Sequence, residues 1–454
     1  MPHNYQLAVQ DDSSRRLATG WLKLGVVALL GSGAFSILLV LSRTPGIHEM
    51  IPWVDFFHTA LVVHVDLSVV IWFLAFAGVL WSINTRCCRH AWDWLALLLT
   101  AAGTLVIALA PFLGAGDPLM NNYIPVLQDP LFFFGGFLVA AGFTLLVLRS
   151  LATRIPLDHE WAGPDALRVG LLYSKVAALA AILAFIASYL LIPENVTGQA
   201  YYEFIFWGGG HVLQFTHSLL LMVAWLWLAH ASGRRVPLPG RHGVHLFGLA
   251  FAPVLIAPLI YLADPVFSAA HRDGFTELMR YGGLALLPLG LVVLISLFSG
   301  GERDSRQAPL NAALLSSLIL FTVGGILGFM IEGVNVVIPA HYHGSIVGVT
   351  LAFMGMAYLL LPRLGFTAPQ GRLPTWQPWI YGGGQLMHIL GLAISGGYGN
   401  IQRKTAGAAQ GLENLPEIAG MGLMGLGGLV SIIGGLLFLI VMIRALWIAP
   451  RQAA

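Results

Sequence analysis

Two histidines two positions apart, His341 and His343, stand at the head of an apolar run that continues to Leu361. If that run is a helix, positions i and i+2 lie about 200° apart around its axis, so the two imidazoles leave opposite faces. They cannot grip one ion together. Each can hold a separate flat cofactor, one on either side of the helix. Histidine inside a membrane stretch is costly and by default marks function; the bland alternative is a pair of histidines at a wet helix end. Further imidazoles lie in apolar surroundings at His64, His211, His217 and His388, and acids close two apolar runs at Asp264 and Glu332.

The elements that must position these groups follow from composition. The chain has 454 residues, of which 57% are hydrophobic and 10% charged, and its mean hydropathy is +0.80. Those values exclude a soluble domain and indicate an all-α polytopic membrane protein. Apolar runs fall at 21–42, 58–84, 91–115, 129–148, 170–192, 202–230, 243–264, 277–299, 309–333, 341–362, 376–398 and 420–446. Each is about the ~20 residues that a bilayer requires, or longer. Twelve transmembrane helices in a single domain over 1–454 are expected, with 1–19 as a polar N-terminal segment. The first run is too long for a cleavable signal. The formal net charge of +2 gives no footprint for nucleic acid, and the adjacent Cys87 and Cys88 provide no disulfide framework.

Basic residues set the expected orientation, since cytoplasmic loops carry the excess of Lys and Arg. With the N-terminus inside, Arg43, Arg272, Arg280, Arg403 and Lys404 face outward, and the other eighteen of the 23 basic residues face the cytoplasm. Both termini are then cytoplasmic, in a bacterial inner membrane. Depth becomes readable. The second and sixth helices enter from outside, placing His64 and His211 about two turns in. The tenth begins outside at His341 and His343, and the eleventh leaves outward past His388. The seventh and ninth end outside at Asp264 and Glu332. Imidazoles and acids gather in one layer, the outer half of the membrane.

Imidazoles on the second and tenth helices can ligate one haem iron from both sides, leaving no open position, which suits electron transfer. The other imidazole of the tenth helix can hold a second haem with one open face. His211 with outer acids can supply a second metal opposite that face, and an imidazole–carboxylate set favours non-haem iron over copper. Gly208, Gly209 and Gly210 leave room either for a macrocycle against the backbone or for close helix packing. His217 is equally open to a ligand or a packed core reading. His271 reads as part of a solvated outer loop beside Arg272 and Asp273, while His58, His230, His242 and His245 lie off the site.

Several motifs in order carry a family resemblance. Phe321 to Gly325 followed by Ala340 to His343, the histidine in Val63 to Leu67, Trp207 to His211, and Met387 to Ala393 followed by Gln402, Arg403 and Lys404 together resemble subunit I of the haem-copper oxidase superfamily. That superfamily includes cytochrome c oxidases and nitric oxide reductases. The resemblance covers nearly the whole chain and its helix count. It implies His64 and His343 on a low-spin haem and His341 on a high-spin haem, both of b type. It also implies His211 on a non-haem iron or copper, and His388, Arg403 and Lys404 in the propionate region. Asp264 stands near where the family has a histidine pair, as a substitute metal ligand or a helix-end acid capped by water, and Glu332 is a ligand, a proton relay or a neighbour of a haem propionate. Gln214, one turn past His211, can hydrogen-bond substrate.

The departures bear on activity. The turn after His211 reads Val212, Leu213, Gln214, Phe215, where oxidases carry a glutamate or tyrosine. The eighth helix has no lysine. The resemblance therefore implies a nitric oxide reductase-like catalytic subunit that converts two NO to N₂O. An oxygen-reducing terminal oxidase using cytochrome c or quinol is the alternative, and a haem-bearing transporter or sensor without a catalytic metal is a third reading. The chain has no Cys-x-x-Cys-His haem c motif and no cupredoxin-like segment. A partner with haem c or copper, or quinol itself, must supply electrons.

Overall fold

The computed structural model describes residues 4–9, 11–42, 56–85, 90–114, 116–157, 161–300, 304–333, 335–398 and 414–448. Among them run α1 (Asp12–Leu39), α2 (Phe56–Ser82), α3 (Ala91–Phe112), α4 (Pro130–Ala152), α5 (Gly163–Leu191), α6 (Gly198–Ala231), α7 (Gly240–Ala263), α8 (Ala269–Ser296), α9 (Ser305–Phe329) and α10 (Val337–Arg363). The chain continues through α11 (Arg372–Tyr398) and α12 (Leu415–Ile448). Eleven of these are long and apolar enough to cross a membrane. The twelfth, α11, is a helix of 27 residues whose Gln377, Gln385 and His388 dilute its hydropathy. The all-α membrane architecture is therefore as expected.

Several helices begin earlier than the apolar runs, because polar caps rather than hydropathy set their ends. The Asp11 carboxylate accepts from Ser14 N at 2.7 Å and starts α1 within the polar N-terminal stretch. In α5, the Asp165 carboxylate accepts from Ala162 N at 3.0 Å, with Pro164 in the first turn, where its missing N–H costs nothing. Ser268 Oγ accepts from His271 N at 3.1 Å and starts α8 through a polar stretch. Asn414 opens α12 in the same way, with Glu417 N donating to Asn414 Oδ1 at 3.1 Å.

Irregular turns interrupt three helices. A π-turn occupies Asp66–Ile71 of α2, and 3₁₀ segments occupy Ala252–Ile256 of α7 and Gly283–Leu286 of α8. Pro253 and Pro258 account for the distortion in α7, since each removes a helical donor. Between α3 and α4 the chain forms a hairpin, β1 (Pro118–Leu119) antiparallel to β2 (Val126–Leu127).

The helices divide between two compact units, one of residues 1–223 with 237–294, the other of residues 224–236 with 295–454. In the first, Trp21 of α1 lies where a side chain at Gly78 of α2 would stand, and Trp72 fills the space beside Gly25. Residues before α1 pack inward as well: Tyr5 is fully buried, and its hydroxyl donates to Leu238 O at 2.9 Å. Burial holds that phenol well above its ordinary pKa. In the second unit, α11 and α12 meet backbone to backbone through small residues. A Cβ at Gly384 would lie 2.6 Å from Ser431 N, and Gly420, Gly427 and Gly434 pack against α11 at seven-residue intervals. In a membrane such close approach replaces the hydrophobic drive that lipid cannot supply.

Candidate functional site

One hydrogen-bonding pattern recurs at four of the predicted imidazoles. His64 Nδ1 donates to Ser32 O at 3.0 Å, and His211 Nδ1 donates to Trp207 O at 2.8 Å. His341 Nδ1 donates to Gly324 O at 2.7 Å, and His388 Nδ1 donates to Met424 O at 3.0 Å. A carbonyl oxygen can only accept, so each contact places the ring proton on Nδ1. The Nε2 lone pair is then left free, which is the form in which a histidine ligates a metal and the way ligating histidines are usually held.

In the first unit, His64 sits on α2 just before the π-turn. Ser32 Oγ and Ser36 Oγ of α1 also lie 2.9 and 3.0 Å from its Nδ1, so two hydroxyls and a carbonyl surround one nitrogen. Ser68 Oγ donates to His64 O at 2.7 Å, closing the turn. Two residues on, the Asp66 side chain is buried, and neither of its carboxylate oxygens has a hydrogen-bond partner among the described residues.

His211 is 5% exposed and stands on α6 among aromatic rings. Trp207 lies 4.8 Å away between ring centroids, Tyr123 5.0 Å and Phe275 6.1 Å. The hydroxyl of Tyr123, from the tip of the β1–β2 hairpin, is 2.8 Å from His211 Nδ1. Burial and then the nearby Glu203 carboxylate push that phenol well above its ordinary range, so it stays a neutral hydroxyl. The three glycines before His211 each make room for a ring. A side chain at Gly208 would strike Tyr261, one at Gly209 would strike Phe185, and one at Gly210 would strike Tyr123. Of the two expectations for these glycines, close packing is what the structure shows.

Gln214 is half-buried one turn beyond His211. His217 is further along, its ring edge-on to Phe73 at 4.9 Å, with Nδ1 buried and without a hydrogen-bond partner among the described residues. Asp264 is half-buried at the C-terminal end of α7. His271 departs from the solvated-loop expectation: it is 1% exposed, in the first turn of α8, because the Ser268 cap carries the helix back through a polar sequence. Its ring meets Tyr261 at 4.8 Å and Phe275 at 5.1 Å, so Phe275 touches both His271 and His211. Asp264 lies within electrostatic reach of His271.

In the second unit, His341 lies in the first turns of α10 with its ring against α9. A Cβ on Gly328 would come within 2.6 Å of its Nδ1, so glycine is needed there for the ring to reach Gly324 O. His343 packs at 5.0 Å from Tyr342 and at 5.0 Å, edge-on, from His388 of α11. Glu332 is exposed in the segment after α9, where Asn335 Nδ2 donates to its backbone oxygen at 3.0 Å. Arg403 and Lys404 lie outside the described residues.

The donor set fits haem iron, which takes one or two axial imidazoles rather than a side-chain cage. His211 fits as one ligand of a further metal. Among the described residues, no three His, Cys, Asp or Glu side chains gather closely enough to hold an ion by themselves: Asp264 has His271 as its imidazole neighbour, and Glu332 is exposed. Sequence reasoning passed over Tyr123, Ser32, Ser36 and Asp66. The spacing of Ser32 and Ser36, one turn apart on an apolar helix, was the available signal; Tyr123 on a short hairpin gave none.

Known proteins bear on the site. Residues 16–437 match the family described as cytochrome c and quinol oxidase polypeptide I. An uncharacterized protein of Rickettsia prowazekii (strain Madrid E) is 30% identical, over 93% of this chain and 94% of its own length. An uncharacterized protein of Aquifex aeolicus (strain VF5) is 27% identical, over 79% of this chain and 88% of its own. Among solved structures, a heme-copper terminal oxidase dimer shares the fold with a TM-score of 0.71 at 15% identity, covering 98% of this chain and 86% of that one.

Proposed function

Since the chain belongs to the cytochrome c and quinol oxidase polypeptide I family, we propose that it is a nitric oxide reductase-like catalytic subunit, performing 2 NO + 2 e⁻ + 2 H⁺ → N₂O + H₂O. Family membership makes it a haem-dependent oxidoreductase subunit, and its helices make it a multi-pass membrane protein. The choice of substrate rests on the turn after His211. Phe215 is fully buried, and no carboxyl or phenol occupies that turn to deliver protons to dioxygen. The Tyr123 hydroxyl does not replace it, because it meets Nδ1, the side of the ring turned away from the free Nε2.

In this reading His64 and His343 hold a low-spin haem of b type, His341 holds a high-spin haem, and His211 contributes to a non-haem iron or copper. When bound, these groups supply electrons and the positive charge against which the reacting nitrogen oxides are held. The protein supplies position and dryness. Nδ1 bonds fix His64, His211 and His341, and Val212 and Phe215, both fully buried, keep water from the α6 side. Gln214 offers an amide to bound substrate. Glu332 and Asp264 take up protons from the outer face. The donor is a c-type cytochrome, a copper-containing subunit, or quinol.

The oxygen-reducing alternative draws on the family description and on the solved heme-copper terminal oxidase. Metal and haem content of the purified protein separates the readings, with NO and O₂ consumption assayed side by side. Three irons per two haems without copper, with N₂O formed from NO, is the expected result. Two irons and one copper with rapid O₂ uptake overturns it in favour of the oxidase. Two irons and no third metal favours a sensor.

A further inference from the structure

We infer that Tyr123 is a positioning residue for His211: the hydroxyl of a loop tyrosine joins the Trp207 carbonyl of α6 in holding the imidazole with Nε2 facing the site. This rests on the reading of His211 as a metal ligand and names a residue that reading does not require.

The contact is built from several directions. Tyr123 Oη lies 2.8 Å from His211 Nδ1, while Trp207 O lies 2.8 Å from the same nitrogen. The carbonyl accepts, so Nδ1 carries the proton and the phenol oxygen is its second acceptor. Two acceptors on one N–H lock the ring about its Cβ bond and raise the basicity of Nε2, as carboxylates and carbonyls do behind other ligating histidines. Space for the phenol is reserved at Gly210, immediately before His211, where any side chain would overlap the Tyr123 ring.

The loop is held as firmly as the ring. Asn121 Oδ1 accepts from Tyr123 N and Ile124 N, both at 3.0 Å, a local turn that aims residue 123. Asn122 Nδ2 donates to Glu203 Oε2 at 2.8 Å, and Gln199 Nε2 donates to Met120 O at 3.3 Å, both tying the loop to the first turns of α6. Pro118 and Leu119 pair with Leu127 and Val126 to close the hairpin. A hairpin closed at its base by its own strand pair and bound to α6 at Met120 and Asn122 is tied to the helix that carries His211. The one bond it delivers to the site is that of the phenol.

Tyr123→Phe keeps the ring in its slot and removes only the oxygen. Two readouts are taken on the full protein in detergent, with wild type and His211→Gln alongside. The first is the imidazole ¹⁵N spectrum of histidine-labelled protein, in which the His211 signal is identified by its loss in His211→Gln. The second is retention of the non-haem metal against a chelator, at unchanged haem content. The expected outcome is a displaced Nδ1 signal in Tyr123→Phe, with metal held about 10- to 100-fold more weakly, the range found for such supporting groups. A Tyr123→Phe protein whose His211 signal is unmoved overturns the inference, whatever the metal does. If wild type carries no non-haem metal but the signal moves, the proposed centre fails and the role of Tyr123 stands. If His211→Gln retains the metal as wild type does, the ligand reading of His211 fails, while the ¹⁵N signal still decides whether Tyr123 positions the ring.

Discussion

Four imidazoles on α2, α6, α10 and α11 each give their Nδ1 proton to a main-chain carbonyl. Nε2 of each ring is thereby left as the nitrogen able to ligate a metal, the form the proposed function requires of His64, His211 and His341. His341 allows a direct check. Its bond to Gly324 O exists because Gly328 has no side chain, and a Cβ there would stand 2.6 Å from Nδ1. Gly328→Ala is expected to rotate the ring off the carbonyl and, if His341 holds the high-spin haem as proposed, to abolish the CO-reactive haem signal while the proposed low-spin haem keeps its spectrum. A CO difference spectrum that matches wild type would remove His341 from the high-spin site. The histidines were legible in the sequence because ionisable groups in apolar runs stand out. Their supports were not. Carbonyls have no residue type, and Tyr123 acts from a hairpin whose sequence shows neither helical nor strand periodicity.

At the scale of elements, the apolar runs located the helices and the caps moved their ends. Asp11, Asp165, Ser268 and Asn414 extend helices into polar sequence that hydropathy leaves as loop, which is why His271 is helical and buried rather than solvated. The α11–α12 pair gives a further test, because its glycines fall in two classes. A Cβ on Gly427 would meet His388 N and Gly384 O of α11, whereas one on Gly425, two residues earlier, would have nothing within 4 Å. Gly427→Leu forces the helices apart at His388 and is expected to destabilise by about 1–3 kcal/mol or more, the usual cost of overpacking. Gly425→Leu is expected to be near neutral. Thermal unfolding with haem retention as the signal, in one detergent, compares the two. Equal stability of both variants would mean that the helix seam does not set the position of His388.

For the whole molecule, the fold is shared with a solved oxidase at 15% identity, so the architecture survives where most side chains have changed. That is expected when membrane helices need only to be apolar outside and small where they touch. Orientation is the property that the helices themselves do not carry; it is written in the charged ends. The charge bias expects Arg272 and Arg280 on the side with few basic residues and Arg149, Arg154, Arg234 and Arg235 on the other. The bias of eighteen against five predicts that both termini and the α6–α7 connection are cytoplasmic, and that the segment bearing Asp264 and Ser268 faces outward. A fluorescent protein fused after Ala454 is expected to light up, and alkaline phosphatase inserted after Pro265 is expected to be active. The reverse pair of results would invert the membrane, moving Glu332 and the outer layer of histidines to the cytoplasmic face. Proton uptake by way of Glu332 would then draw on the cytoplasm, and a charge-translocation assay during NO turnover would read the inversion independently. With the orientation as predicted, the proposed reaction is expected to take up its protons from the side on which the proposed donor delivers electrons, and that assay is expected to register no net charge movement.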